Sequence, residues 1–293
     1  MRVFVTGATG FIGSAVVKEL IRAGYEVLGL ARSDAGAKTL AAAGAGVHRG
    51  DLEDLESLRS GASASDAVIH TAFLHDWSKY AESCELDKRA IEVVGAVLQS
   101  SSRPFLITSG VGVAQGRAAT EDDPPLPASP SLPRVSEVTA VALMGRGVHA
   151  SVMRVPQVHD TVKQGLVTRL VSVAREKGVS AYVGDGQNRW PAAPVLDVAL
   201  LYRLALEKGT AGARYHAVAE EGVPLKDIAT AIGRGLNLPV ISISREQAQE
   251  HFGFFGFFVG RDAPVSSTRT REELDWKPIG PGLLTDLENM RYF

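Results

Sequence analysis

The sequence predicts an α/β protein built on a doubly wound parallel sheet, and two observations predict it. Near the N-terminus Arg2-Val3-Phe4-Val5 runs into Thr6-Gly7-Ala8-Thr9-Gly10-Phe11-Ile12-Gly13, then into a helical pattern and a second apolar strand. Short apolar runs then alternate with helical stretches as far as residue 155. Strands that are apolar on both faces and separated by helices read as a parallel sheet covered on both sides.

The first unit is the most specific. Gly7 permits a tight turn, Gly10 lets backbone approach a pyrophosphate, and Gly13 lets the new helix pack close to the sheet. Ile12, Val16, Val17, Leu20 and Ile21 form one apolar face at helical spacing, and Gly24 stands at a helix C-cap. The free N–H groups of that helix's first turn, and its dipole, suit a phosphate. Gly7, Thr9, Gly10, Phe11, Ile12 and Gly13 are therefore candidate dinucleotide contacts.

The later elements follow the same logic. Glu26–Ala31 reads as a second buried strand, and Asp34 as the cap of a helix ending near Gly44. Val47–Asp51 is the end of a third strand, Ala67–Ala72 a fourth, and a long helix carries Leu86, Ala90, Val93, Val94, Val97 and Leu98. Phe105–Thr108 is a fifth strand. From Gly116 to Pro133 the pattern breaks into a loop holding Pro124, Pro125, Pro127, Pro130 and Pro133 with Glu121, Asp122 and Asp123. A helix resumes near Ser136, and Ala150–Val155 is a sixth strand. Beyond it, helical stretches at Leu166–Lys177 and Val198–Glu207 flank a turn-rich segment, Gly184–Pro194. Tyr215–Val218 reads as a strand and Pro224–Leu236 as an amphipathic helix.

Composition narrows the function classes. With 293 residues the chain holds one large domain or two small ones. A net charge of −2 offers nothing to nucleic acid or an anionic membrane, so neither is expected as a partner. The single cysteine, Cys84, excludes an intrachain disulfide. No apolar run approaches a membrane span, and the N-terminus reads as a strand rather than a signal peptide, so a cytoplasmic protein is expected. No metal site is read from the sequence.

The end of the second strand bears on the choice of dinucleotide. An NAD site usually places a carboxylate there for the ribose 2′-hydroxyl. Ala31 occupies the position, followed by Arg32 and Ser33. An arginine pairs with a 2′-phosphate that a carboxylate would repel. NADP(H) is therefore favoured over NAD(H), with Asp34 read as a helix cap.

Further motifs carry a family likeness: G-D-L-E-D at Gly50, H-T-A-F at His70, I-T-S-G at Ile107, M-R-V-P-Q-V-H-D at Met153, V-L-D-V-A at Val195 and R-E-E-L-D-W-K-P at Arg271. With the glycine turn, these make the chain resemble the extended short-chain dehydrogenase/reductases of the epimerase/dehydratase-like group over essentially its whole length. The resemblance implies a Rossmann core, residues 1–155 and 186–210, and a smaller C-terminal substrate subdomain, residues 156–185 and 211–293. It also implies that Asp51 and Leu52 lie beside the adenine, Thr71, Ala72 and Phe73 along the dinucleotide, and Pro156 beside the nicotinamide. Asp51 reads equally as a cap for the helix of Leu55 and Leu58.

The family's usual proton donor is a tyrosine with a lysine four residues later. Four positions after Tyr25, Tyr80, Tyr182, Tyr202 and Tyr215 stand Gly29, Cys84, Gly186, Leu206 and Ala219, and Tyr292 is next to the end. At the expected location Pro133 replaces the tyrosine and Glu137 the lysine. The family's hydroxyl role falls on Thr108 or Ser109, with Gly110 an alternative alignment. His70, His75, His159, Tyr80 and Lys79 are candidates by type for a replacement acid. Glu137 is a candidate acceptor for the nicotinamide ribose, and Arg134 a candidate for restoring positive charge. Reduction of a protonated imine, or of an activated alkene protonated by solvent, demands less of an acid.

Five of the ten phenylalanines fall between His251 and Val259. This segment reads as packing in the small domain or between subunits, or as an aromatic wall over an apolar substrate that Trp77 and Trp190 could join. It lacks the basic clusters a sugar nucleotide would favour. The sequence thus points to an NADP(H)-dependent oxidoreductase acting on a small apolar carbonyl, imine or activated alkene, as a monomer or homodimer. The alternatives are a non-catalytic NADP(H)-sensing protein of the NmrA-like kind, and a sugar-nucleotide epimerase or dehydratase.

Overall fold

A computed structural model describes residues 1–129 and 132–292; Pro130 of the proline loop lies outside the described residues. The core opens with β1 (Arg2–Thr6), α1 (Phe11–Arg22), β2 (Glu26–Ala31), α2 (Asp34–Ala42), β3 (Gly46–Arg49), α3 (Leu55–Ser63) and β4 (Ala67–His70). It continues through α4 (Tyr80–Leu98), β5 (Phe105–Gly110), α5 (Ser136–Met144) and β6 (Ala150–Val155). Then come β7 (Gln157–His159), α6 (Val167–Lys177), β8 (Ser180–Val183), β9 (Arg189–Pro194), α7 (Val195–Lys208) and β10 (Arg214–His216). The chain closes with β11 (Glu220–Pro224), α8 (Leu225–Leu236), β12 (Val240–Ile243), α9 (Arg245–Phe252), α10 (Gly256–Val259), α11 (Thr268–Leu274) and α12 (Leu283–Glu288).

Seven strands form the central sheet in the order β3-β2-β1-β4-β5-β6-β10, and each neighbouring pair is parallel. This is a Rossmann-type sheet. Its order reverses between β1 and β4, where Thr6 pairs with His70, so crossovers leave in opposite directions and a crevice opens at the strands' carboxyl ends. Val16, Leu20, Leu201, Tyr202 and Trp276 pack one face, while Phe4, Leu58, Ile91, Val94 and Leu143 pack the other.

A smaller body sits over that crevice. It holds the sheet β11-β9-β7, the parallel pair β12-β8, and a separate apolar cluster that includes Val171, Trp190, Ile228, Phe252, Phe255 and Leu287.

Several sequence expectations change. The segment Gly184–Pro194 is not wholly turn, because Arg189–Pro194 is the middle strand of the small sheet. β10 lies in the central sheet beside β6, so the proposed boundary at residue 211 cuts through the core. Asp34 is the first residue of α2 rather than its cap, since Ser33 Oγ accepts from the Gly36 N–H at 3.1 Å. Likewise Asp54, not Asp51, caps α3, accepting from the Ser57 N–H at 3.1 Å. Among the described residues no helix is long and apolar enough to cross a membrane.

Candidate active site

The β1–α1 turn opens into a cleft of about 910 Å³. Gly7 takes a φ of +67°, and a Cβ on Gly13 would come within 2.1 Å of the Gly7 carbonyl oxygen, so close packing of helix on turn requires glycine at both positions. At the N-terminus of α1 no side chain caps the first turn and no acid stands in it. Its amide donors are left for something in the cleft, and a dinucleotide's phosphates fit that requirement.

The residues expected along a dinucleotide meet here. Gly7, Thr9, Gly10, Phe11, Ile12 and Gly13 line the cleft, as do Arg32, Asp51, Leu52, Thr71, Ala72, Phe73 and Pro156. Ser33 does not, and its hydroxyl accepts the Gly36 N–H as the cap of α2. Arg32 has no carboxylate partner among the described residues, whereas Asp34 is engaged by Arg49 at 2.6 Å.

The three expected catalytic residues are treated differently by the fold. Thr108 is buried; its Oγ1 donates to the His70 carbonyl and meets the Tyr202 hydroxyl, both at 2.6 Å, so it faces the sheet interior. Ser109, the next residue of β5, lines the cleft. The Glu137 carboxylate borders the cleft but is taken by Arg154 at 2.6 and 2.9 Å and by Arg214 at 2.9 Å. It is the counterion of two arginines, which leaves the ribose-holding expectation without a free carboxylate.

Of the proposed replacement acids, two lie in the interior. His70 sits between Thr6 and Asp87, and His159 is bound to Asp286 at 2.6 Å. Lys79 lies outside the cleft lining, whereas His75 and Tyr80 belong to it. Burial pushes the His75 imidazole below its ordinary pKa, and the charges of Arg134 and Lys163 push it further the same way. Burial raises the Tyr80 phenol to about 12.

Arg134 also lines the cleft, with its guanidinium carbon 4.3 Å from the Phe73 ring centre. It is held from behind by a buried relay. Arg134 Nε donates to Ser136 Oγ at 2.8 Å, and Ser136 donates to Asp87. The other Asp87 oxygen meets His70 Nε2 at 3.1 Å, and His70 Nδ1 meets Thr6 Oγ1 at 2.8 Å. Burial pushes the Asp87 carboxyl up, but hydrogen bonds from His70 and Ser136 and the Arg134 charge outweigh burial and hold it below the usual carboxylate range. Sequence reasoning missed Asp87 and Ser136. One signal existed: Asp87 interrupts an apolar stripe formed by Cys84, Ala90, Ile91 and Val94.

The aromatic segment both packs the small body and reaches the cleft. Phe252 and Phe255 are core residues of the small body. Phe255 and Phe258 also line the cleft, joined by Trp77, which packs edge-on to Phe255 at 4.8 Å and beside Tyr80 at 5.2 Å. Trp190 completes this wall and donates its Nε1–H to the Phe258 carbonyl at 3.2 Å. The fold also gathers Lys163, Arg169 and Arg261 around the cleft from separate segments, a basic grouping that no local run of sequence displays.

Comparison with known proteins agrees with this geometry. The model of the NAD dependent epimerase/dehydratase family matches residues 3–103. An uncharacterized protein of Schizosaccharomyces pombe is 50% identical, with 100% of both chains covered. The 4-hydroxy-2-methyl-3-oxo-4-farnesyl-3,4-dihydroquinoline-1-oxide ketoreductase of Stigmatella aurantiaca is 24% identical over 94% of this chain and 92% of its own. The UDP-glucose 4-epimerase of Thermus thermophilus, solved with NAD, superposes with a TM-score of 0.75 at 20% identity, covering 99% of this chain and 97% of that one. That last likeness is one of fold.

Proposed function

Since the chain belongs to the NAD dependent epimerase/dehydratase family, we propose that it is an NADP(H)-dependent oxidoreductase acting on a small apolar carbonyl, imine or activated alkene. The carrying observation is that an uncapped helix N-terminus behind a glycine turn and an aromatic wall line one continuous cleft. The ketoreductase relative, whose name describes an oxo group on a farnesylated ring, supports the same class of reaction.

The nicotinamide supplies or takes the hydride, and the protein binds, orients and dehydrates. The glycine turn and the first turn of α1 hold the pyrophosphate. Arg32 holds the 2′-phosphate, with Asp34 drawn aside by Arg49. Ser109 offers its hydroxyl to the reacting oxygen. Trp77, Tyr80, Phe255 and Phe258 seat the apolar body of the substrate and keep water from the reacting carbon. No tyrosine is followed by lysine four residues on, so the oxygen takes its proton from solvent or is spared the need by an imine or alkene substrate.

The test is to incubate the protein with NADPH and a panel of apolar ketones, imines and enones and to follow nicotinamide absorbance. Turnover of one class supports the reading. Tight NADPH binding without turnover on any class supports the sensing protein instead.

A further inference from the structure

We infer that the substrate of this cleft is an apolar oxo acid, with its anionic group held by Arg134 close to the reacting carbon and its hydrophobic body against Trp77, Tyr80, Phe255 and Phe258. The inference rests on the reading of the cleft as an oxidoreductase site and names the substrate class.

The donor inventory of Arg134 comes first. A guanidinium has five N–H donors and no acceptor. Arg134 uses Nε on Ser136 and one Nη2 hydrogen on the Thr108 carbonyl at 3.3 Å. The other three make no hydrogen bond among the described residues, and no carboxylate pairs with the group. Phe73 covers one face of the plane. What remains is an edge of donors on a cleft-lining residue, beside a Phe73 ring that itself packs on Tyr80, where an ion pair is weakened less by solvent than at a surface.

The surrounding charge points the same way. Three acids line the cleft among the described residues. Asp51 and Glu53 follow β3, at the end assigned to the adenosine, and Glu137 is neutralised by Arg154 and Arg214. Arg134, Lys163, Arg169 and Arg261 also line the cleft, without an acidic partner among the described residues; Arg134 stands over Phe73, Arg261 over Phe257 and Lys163 over Phe11.

Arg134 is also prepared for its ligand. The Ser136–Asp87–His70–Thr6 relay fixes the base of the guanidinium before anything binds, so little side-chain freedom is lost on binding. Its bond to the carbonyl of Thr108 places it one peptide unit from Ser109. An anion on Arg134 and a carbonyl oxygen on Ser109 must therefore belong to atoms only a few bonds apart. A carboxylate matches the planar fork bidentately, and a phosphate monoester has the same anionic oxygens.

The experiment is calorimetric titration of octanoate, octyl phosphate and 1-octanol into the protein saturated with NADPH. At least one anion is expected to bind ten-fold or more tighter than 1-octanol, and the anion that gains more identifies the group. Arg134→Gln should abolish the preference with 1-octanol affinity and NADPH affinity retained, whereas Arg59→Gln, exposed on α3 and outside the cleft, should leave it. Equal binding of anions and alcohol to the native protein overturns the inference, as does a preference that survives Arg134→Gln. Should Arg134→Gln not fold, Arg134→Lys serves, with a reduced preference for the carboxylate expected and an undiminished one counting against the assignment. Anion preference without turnover of any oxo acid sinks the oxidoreductase reading and leaves the anion site standing. Turnover of neutral ketones with no anion preference does the reverse.

Discussion

Ser136 Oγ donates a hydrogen bond to Asp87 Oδ2 across 49 positions of sequence, and both side chains are almost wholly buried. An ionised carboxylate in such a place is tolerable only with its lone pairs satisfied, and His70 and Ser136 satisfy them. The pair joins α4 to the start of α5 and holds Arg134 toward the cleft. Asp87→Asn is expected to cost about 1–3 kcal/mol, the range for a buried polar group left badly paired, measured by urea denaturation at neutral pH.

The same carboxylate sets a pH dependence. Its folded pKa lies below the unfolded value of about 3.9, so it binds its proton less readily when folded. Its contribution to stability is complete above about pH 4 and is lost as pH falls through the folded pKa. The native protein should therefore lose stability more steeply below pH 4 than Asp87→Asn does. Parallel acid profiles would remove Asp87 from the account.

Thr108 and Ser109 are neighbours with opposite orientations, and this separates their mutants. Thr108→Val leaves the Tyr202 hydroxyl and the His70 carbonyl short of a partner and should cost about 1–3 kcal/mol of stability. Ser109→Ala removes a hydroxyl at the cleft and should leave the melting temperature nearly unchanged. It should lower kcat by about two orders of magnitude, as loss of an oxyanion donor does. Melting curves beside single-turnover rates decide it, and a Ser109→Ala enzyme of full activity would remove the hydroxyl's role.

The legible and illegible parts of this protein divide by range. Strands β1 to β6 and the glycine turn announce themselves because buried parallel strands are unbroken apolar runs and the turn chemistry is local. Strand β9 is hidden by Pro191 and Pro194, which read as turn. The strand tolerates Pro191 where its register with β11 shifts between Glu220 and Val223, so a missing N–H removes no regular ladder bond there. The three residues of β7 are too few to display a period. At the site, Arg134 was legible as a charge close in sequence to Glu137. Its setting depends on Asp87 and Ser136, and on the cations Lys163, Arg169 and Arg261 of the same cleft, which only the tertiary fold assembles.

The proposed NADP(H) preference rests on Arg32. With Ala31 at the end of β2 and Asp34 engaged by Arg49, no carboxylate is presented to a ribose 2′-hydroxyl from this loop. Arg32→Ala should weaken NADPH binding by ten-fold or more and NADH binding by less than three-fold, as loss of one charge-assisted phosphate contact predicts. Fluorescence titration of both nucleotides checks it, and equal losses would count against an NADP(H) preference.

Trp77 and Phe255 pack edge to face at 4.8 Å but belong to different bodies, and their truncations should diverge. Phe255 lies in the core of the small body, 4% exposed, so Phe255→Ala leaves a cavity and should cost about 3–5 kcal/mol. Trp77 lies at the start of the segment leading into α4 and is only partly covered. Its ring packs against Tyr80, Phe254 and Phe255 and also lines the cleft. Trp77→Ala should therefore lower stability by less than Phe255→Ala while raising KM for an apolar substrate ten-fold or more, with kcat changing less, because the lost contacts are made to the substrate's inert body in ground and transition states alike. Denaturation curves paired with steady-state kinetics distinguish the two. If Trp77→Ala left KM unchanged and unfolded the small body, the aromatic wall would be packing between the two bodies rather than a surface for the substrate.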